Sequence, residues 1–238
     1  MISVIIPSLN SETTLAACLS ALIPAAVDGL VREVIIADGG STDRTAKIAE
    51  SSGAGTVSGG STRSSRLIAG AAAARFPWLL FLPPDAVLSP SWIRDAEAFI
   101  AKSESGETTA KAAVFRFEID DTGFAPRAFE VSTRIGHALC GVASAEQGLL
   151  ISRDRYTALG GYRPIPVLED LDITRRIGRR HLARLRTPLV TSPQRYRSEG
   201  YATRLRQHGL SLLLYGINVP LDRIAYRGRR AGARPPGS

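Results

Sequence analysis

Asp38 ends the apolar run Val34-Ile-Ile-Ala-Asp38 and is followed at once by Gly39-Gly40-Ser41-Thr42-Asp43. A carboxylate at the end of a buried strand can accept hydrogen bonds from a ribose hydroxyl or a uracil imide. Glycines beside it let the backbone approach a ligand closely. An ordinary strand–turn–helix with Asp38 as turn former explains the same residues. About 130 residues later, Val167-Leu-Glu-Asp-Leu-Asp172 places Glu169, Asp170 and Asp172 on the first turn of a helix that closes on Arg175, Arg176, Arg179 and Arg180. Acids first and bases last complement a helix dipole at about 0.3–1 kcal/mol each. That accounts for the signs but not for three acids in four positions, whose repulsion calls for a cation or a bound proton. Crowded carboxylates raise one another's proton affinity, as a general base requires. The pairing points to an enzyme that moves a group off a nucleotide carrier.

Other polar residues fit the same chemistry less specifically. Asp85 follows the apolar run Trp78-Leu-Leu-Phe-Leu82 and two prolines that stiffen the loop. A divalent cation bridging a diphosphate takes hard oxygen ligands, so one carboxylate there suits it, as does a solvated turn. Arg63, near a helix start, and Arg195 and Arg197, in Thr191-Ser-Pro-Gln-Arg-Tyr-Arg197, could each meet a phosphate or simply face solvent. His137, His181 and His208 have no metal-ligand spacing.

The elements that must position these groups follow from pattern. The 238 residues, 44% apolar, allow one substantial core. Strands are expected at 3–7, 33–37, 54–58 and 78–82, separated by helices that Ser11, one of Ser41 to Asp43, and Ser61 or Thr62 would cap. Apolar strands alternating with helices predict a parallel sheet covered on both faces, with ligands beyond the strand C-termini. Pro7 to Asn10, Asp38 and Asp85 all fall there. The second half reads as helix 89–102, strand 112–119, helix 129–139, strand 146–152, helix 154–159, helix 169–180, strand 187–191 and an amphipathic helix from about 199 to 217. The tail 228–238 has no apolar periodicity and reads as disordered. One α/β domain over 1–227 results, with a nucleotide-binding half (1–88), an acceptor and catalytic half (89–197) and C-terminal helices (198–227).

Composition narrows the partners. The net charge of +8 comes from arginine, concentrated between Arg175 and Arg234, and favours an anionic partner. No aromatic-studded nucleic-acid platform is present, so nucleic acid is not expected. Cys18 and Cys140 read as buried small hydrophobes in a reducing, cytoplasmic setting. The N-terminus reads as a strand and not a signal peptide. Leucines from Leu205 to Leu214, set among Arg204, Arg223, Arg227, Arg229 and Arg230, either pack on the sheet or make a peripheral contact with an anionic membrane.

Taken in order, these segments resemble a family 2 glycosyltransferase of the GT-A fold, from about Ile2 to Tyr226. Ser3-Val-Ile-Ile-Pro-Ser-Leu-Asn10 resembles the family's opening strand and Glu33 to Asp43 its uridine-binding segment. Leu79-Leu-Phe-Leu-Pro-Pro-Asp85 occupies its D-x-D position. Gln147-Gly148, Leu159-Gly-Gly-Tyr162 and Leu168-Glu-Asp-Leu-Asp172 are similar to its acceptor-side and base segments. Glu146-Gln-Gly148 and Val190-Thr-Ser-Pro-Gln-Arg-Tyr196 resemble signatures of the small bacterial selenodomain-associated transferases. The resemblance implies a mixed, mainly parallel sheet and an inverting enzyme working from a nucleotide-sugar, UDP-sugars first, on an unknown acceptor hydroxyl. By position, Pro7, Asn10, Asp38 and Gly39 would line the uridine pocket with Arg63 nearby. Asp85 would hold Mg²⁺ or Mn²⁺ on the donor diphosphate. Asp170, with Glu169, would deprotonate the acceptor. Pro83 stands where the family generally has the first aspartate of D-x-D, which removes one sugar or metal contact. Two other readings stay open: a degenerate fold that only binds a nucleotide or partner, and a nucleotidyltransferase, disfavoured because no triphosphate loop lies near Pro7.

Overall fold

A computed structural model describes residues 1–206 and residue 209; the side chains of 136–140, 145, 195 and 199 are outside the description. Among the described residues eight strands form one sheet in the order β3-β2-β1-β4-β7-β6-β8-β5: β1 Ile2–Ser8, β2 Val31–Asp38, β3 Gly55–Ser58, β4 Trp78–Phe81, β5 Ala86–Leu88, β6 Ala112–Ile119, β7 Leu149–Ser152 and β8 Leu182–Thr191. Parallel pairing joins β1 to β2 and β4, β2 to β3, and β6 to β8, while β7 and β5 run against their neighbours. The sheet is therefore mixed and mainly parallel.

Side chains of successive strand residues enter opposite cores, which is why the strands read as unbroken apolar runs. Val4, Ile6, Leu80 and Leu82 pack with Leu15, Cys18 and Leu22 of α1 (Leu15–Val27) and with Trp92 and Phe99 of α4 (Trp92–Glu104). Ile5, Leu79 and Phe81 face the other way, onto Leu67 of α3 (Arg63–Ala73) and Ile173 of α7 (Glu169–Ile177). Gly70 lets α3 lie close on the sheet: a Cβ there would come within 2.4 Å of Ile5 Cγ2. A smaller cluster of Phe117, Phe129 and Tyr196 joins β6, α5 (Phe124–Cys140) and α8 (Gln194–Glu199).

Several boundaries depart from the pattern-based expectation. Ser11 does not cap α1 with its side chain; its carbonyl accepts from the amides of Thr14 and Leu15, and the helix starts at Leu15. Thr62 does cap α3, in a reciprocal box with Ser65. The stretch 146–152 is a 3₁₀ turn, Ala145–Gln147, followed by β7, because Gly148 at φ +60° turns the chain between them. Helix α6 is Arg153–Ala158. Helix α7 stops at Ile177, where Gly178 (φ +83°) leads into a 3₁₀ turn at Arg179–His181. Strand β5, β8 before Thr187, and α8 are additions to what pattern suggested. Helix α2 (Thr45–Ser51) completes the first half.

Gly200 (φ +84°) ends α8, and 201–206 is helical again. Leu205 packs on the Phe117–Tyr196 cluster, and the Arg204 guanidinium lies 4.7 Å from the Tyr196 ring centroid, so both turn inward. The remainder of the expected amphipathic helix, the arginines that follow it, His208 and the tail 228–238 lie outside the described residues. No described helix is long and apolar enough to cross a membrane.

Candidate active site

The crevice sits where the strand order reverses, beyond the C-terminal ends of β1 and β4. It is a cleft of about 490 Å³ lined by Pro7, Asn10 and Ser11 after β1, Arg63 and Arg66 from α3, Pro83, Pro84 and Asp85 after β4, Glu146, and Ser192, Gln194 and Tyr196 around α8. Four expected residues, Pro7, Asn10, Arg63 and Asp85, thus meet on one surface.

Asp38 organises this wall from behind. One carboxylate oxygen accepts from the amides of Gly40 (2.9 Å) and Ser41 (2.8 Å), the other from the Ser41 hydroxyl. That hydroxyl also accepts from the Asn10 amide (2.9 Å), and Asn10 Oδ1 accepts from the Thr42 amide (2.9 Å). Two loops are stitched into one rigid edge, with Asn10 held in the left-handed region at φ +50°. Burial pushes the Asp38 carboxyl up, but the Ser41 hydroxyl and the two amides outweigh it and hold it below the usual range. Gly39 lies against Arg66: a Cβ there would come within 2.6 Å of Nη1, the movable end of that side chain.

The segment from Leu168 to Asp172 is built differently. Leu168 precedes α7 in the left-handed region (φ +65°), a strain of about 1–3 kcal/mol for a leucine that packing against Val142 and Leu171 helps hold. This kink aims Glu169 and Asp170 at α3. Arg63 Nη1 donates to Glu169 Oε1 (2.6 Å) and to Asp170 Oδ2, across 106 and 107 residues of sequence. Tyr162, buried against Phe81, donates its hydroxyl to Asp170 Oδ1 (3.0 Å). Burial drives the Asp170 carboxyl up; Arg63 opposes this, Glu169 reinforces it and Tyr162 opposes it, leaving a pKa of about 6. That is a carboxylate poised between its two forms near neutrality.

Asp172, the third acid of the segment, is turned elsewhere. Its Oδ2 accepts from Arg176 Nε (2.8 Å) and Nη2 (2.5 Å), and its Oδ1 from Arg163 (3.3 Å). Arg176 in turn donates to the carbonyls of Leu159 and Gly161 (2.7 Å each), which ties the 159–161 loop to α7. Three further candidates are not brought to the cleft. Gln147 is buried, its Oε1 accepting from the Ser144 amide (3.1 Å) and its Nε2 donating to the Phe115 carbonyl (3.5 Å). Gly148 is packed where a Cβ would lie 3.1 Å from side-chain carbons of Leu82 and Leu189. Arg197 is paired with Asp121 (2.6 Å), which also accepts from the Tyr201 hydroxyl (2.6 Å). The Arg195 side chain lies outside the description. Arg66, not named beforehand, and Tyr196, named only as the end of a resemblance segment, line the cleft, and Tyr162, the end of the Leu159–Tyr162 segment, bonds Asp170. Arg66, one helical turn from Arg63 on the same face, is the one that helix spacing could have flagged.

Among the described residues no three His, Cys, Asp or Glu side chains gather into a metal cage. Pro83 brings no side-chain ligand, and the carboxylates that line this cleft are Asp85 and Glu146. Mg²⁺ and Mn²⁺ can be held by one or two carboxylates when substrate phosphates and water complete the shell. The donor set therefore fits an ion shared with a diphosphate. Cys18 stands behind the floor, 3.7 Å from the Pro83 carbonyl oxygen, and burial pushes its thiol up to about 12.

A family model described as glycosyl transferase family 2 matches residues 3–127, more than half of the chain and the part that builds most of this cleft. The chain belongs to glycosyl transferase family 2. Curated relatives include the glucosyl-3-phosphoglycerate synthases of Mycobacterium tuberculosis and Mycobacterium bovis, each 49% identical over 57 residues, 24% of this chain and 17% of the relative. The match thus spans under a fifth of the relatives' length. Among solved structures, the M. tuberculosis synthase with Mn²⁺, UDP and glucosyl-3-phosphoglycerate superposes with a TM-score of 0.65 at 23% identity, covering 92% of this chain and 81% of that one. The same enzyme with Mn²⁺, UDP-glucose and phosphoglyceric acid gives 0.64 at 24% identity, covering 92% and 80%. At that identity the likeness speaks to the fold, and the fold of this family 2 member is GT-A.

Proposed function

We propose that this family 2 member is an inverting glycosyltransferase that moves a sugar from a nucleoside-diphosphate sugar, UDP-sugars first, to an acceptor hydroxyl. The observation that carries the reading is Arg63, which lines the β1/β4 cleft with Asn10 and Asp85 and is also bonded to the Glu169–Asp170 pair. The nucleotide would lie along the Pro7–Asn10 edge that Asp38 and Ser41 hold rigid. Its diphosphate would sit toward Asp85, Arg63 and Arg66. The UDP-glucose and Mn²⁺ bound by the M. tuberculosis synthase support this choice of donor and ion.

In the reaction, the acceptor oxygen attacks the anomeric carbon from the face opposite the diphosphate. Its proton passes to Asp170, the carbon–oxygen bond to the diphosphate breaks, and the bonding pair leaves on the phosphate oxygen. Asp170 suits the role because burial and the neighbouring Glu169 make it more basic than an ordinary aspartate. Tyr162 fixes the direction of its carboxylate, and the guanidinium groups of Arg63 and Arg66 offset charge gathering on the leaving group. A divalent cation, when bound, neutralises the diphosphate as a Lewis acid, with Asp85 as its protein ligand.

Pro83 gives weight to a second reading, a nucleotide-binding protein without turnover. Calorimetry with UDP-, GDP- and dTDP-sugars, with and without Mn²⁺, followed by an assay for nucleoside diphosphate release, separates the two. Binding of a UDP-sugar with release of UDP is expected. Tight binding with no release from any donor would favour the second reading, and no binding at all would remove both.

A further inference from the structure

The base and the donor wall share one guanidinium. Both contacts of Arg63 to Glu169 and Asp170 run through Nη1, so the two-pronged grip that an arginine gives a phosphate is used on neither carboxylate. The Arg63 side chain is 27% exposed, whereas Glu169 and Asp170 are 7% and 13% exposed. With Arg63 on Oδ2 and Tyr162 on Oδ1, both Asp170 oxygens are engaged, and the positive charge beside them weakens the base.

We propose that Arg63 is a donor-responsive positioning residue: the free protein holds it on the Glu169–Asp170 pair, and the diphosphate of an incoming donor draws it away, so that Asp170 accepts an acceptor's proton only after the donor is seated. The inference rests on the nucleotide-sugar reading of the cleft. Arg63 already lines that cleft, as Asp85 and Arg66 do. A diphosphate diester offers two negative charges and several oxygens to a guanidinium that now serves two carboxylates through one nitrogen. Departure of Arg63 frees Oδ2 for the acceptor hydroxyl and leaves two adjacent carboxylates without their cation, which raises their affinity for a proton.

Around Asp170, Glu169 shares its helix, Arg63 and, beyond it, Arg66 come from α3, and Tyr162 backed by Tyr156 comes from the connection before α7. Of these, Arg63 is the cation in contact with the pair and also lines the cleft. Donor binding should therefore be coupled to proton uptake near neutral pH, and the coupling should depend on Arg63.

The test is calorimetric titration of the full chain with UDP-glucose at pH 7, with Mn²⁺ throughout, in buffers of different ionisation enthalpy. UDP-glucose carries no phosphate proton that titrates near this pH. If losing the clamp raises the pair's proton affinity tenfold, roughly 0.4 proton is taken up per donor bound. Arg63→Gln should bind UDP-glucose more weakly and with no uptake, because its pair has no clamp to release. Arg63→Lys should show reduced uptake, and it decides the matter if Arg63→Gln lacks a cooperative thermal transition. Binding to wild type without uptake, or undiminished uptake in the variants, would overturn the clamp and leave the donor reading standing. Failure of UDP-, GDP- and dTDP-glucose all to bind would remove the donor reading and the clamp together.

Discussion

Replacing Asp172 by asparagine asks whether the third acid of the base segment belongs to the chemistry or to the architecture. Asp172 is 7% exposed and accepts from Arg176, itself 15% exposed, through Nε and Nη2 on one oxygen. Removing one partner of a buried pair costs about 3–5 kcal/mol, most of it from the charge left behind. Arg176 would keep the carbonyls of Leu159 and Gly161 at 2.7 Å, and the asparagine would keep one acceptor oxygen, so about 2–3 kcal/mol is expected. For a chain of this size that lowers the thermal midpoint by roughly 4–12 °C. Denaturant melts at pH 7 would measure it, and a cycle with Arg176→Met should return a coupling of at least about 1 kcal/mol. Turnover per folded molecule should fall far less than on mutation of Asp170. A stability change below about 0.5 kcal/mol together with lost turnover would refute the structural assignment and return Asp172 to the site.

Other consequences follow from the same contacts. Gly70→Ala puts a Cβ within 2.4 Å of Ile5 Cγ2, so α3 must lift from the sheet; a loss of about 1–3 kcal/mol in denaturant melts and weaker donor binding are expected, since Arg63 and Arg66 ride on that helix. Tyr162→Phe removes a hydrogen bond that favours the ionised form of Asp170, so its pKa should rise above about 6. The acidic limb of kcat/KM then moves to higher pH, while an unmoved limb would show that Asp170 is not the group titrating.

How much of this could be read from the chain depended on the range of the interaction. The strands β1, β2 and β4 and the placement of Pro7, Asn10 and Asp85 at one edge followed from local apolar runs and the turns after them. The Asp38 turn was also legible, although its carboxylate proved to be occupied by Gly40 and Ser41 and to hold Asn10 in place from behind. Arg63 was marked as a phosphate candidate, but its pairing with residues 106 and 107 positions away has no local signature. Gln147 and Gly148 were expected on the acceptor side from resemblance alone; their packing partners, Phe115, Leu82 and Leu189, are known only once the strands are in order. The short strand β5 and the arginine-bearing start of β8 were hidden because three residues and a charged alternation carry little strand signal. Arg197 was drawn away from the cleft by Asp121, a pairing that only the packing of α8 beside β6 creates.

Asp170→Asn tests the assignment of the base most directly. Asparagine keeps the size of the side chain and an oxygen to accept from Tyr162, but it cannot take a proton. With the donor selected by the calorimetric screen, the variant should bind that nucleotide-sugar. Release of nucleoside diphosphate, with water or added acceptor, should fall by about 10²–10⁴-fold, the share a general base contributes. Release at the wild-type rate from a folded Asp170→Asn protein would contradict the assignment of Asp170 as the base.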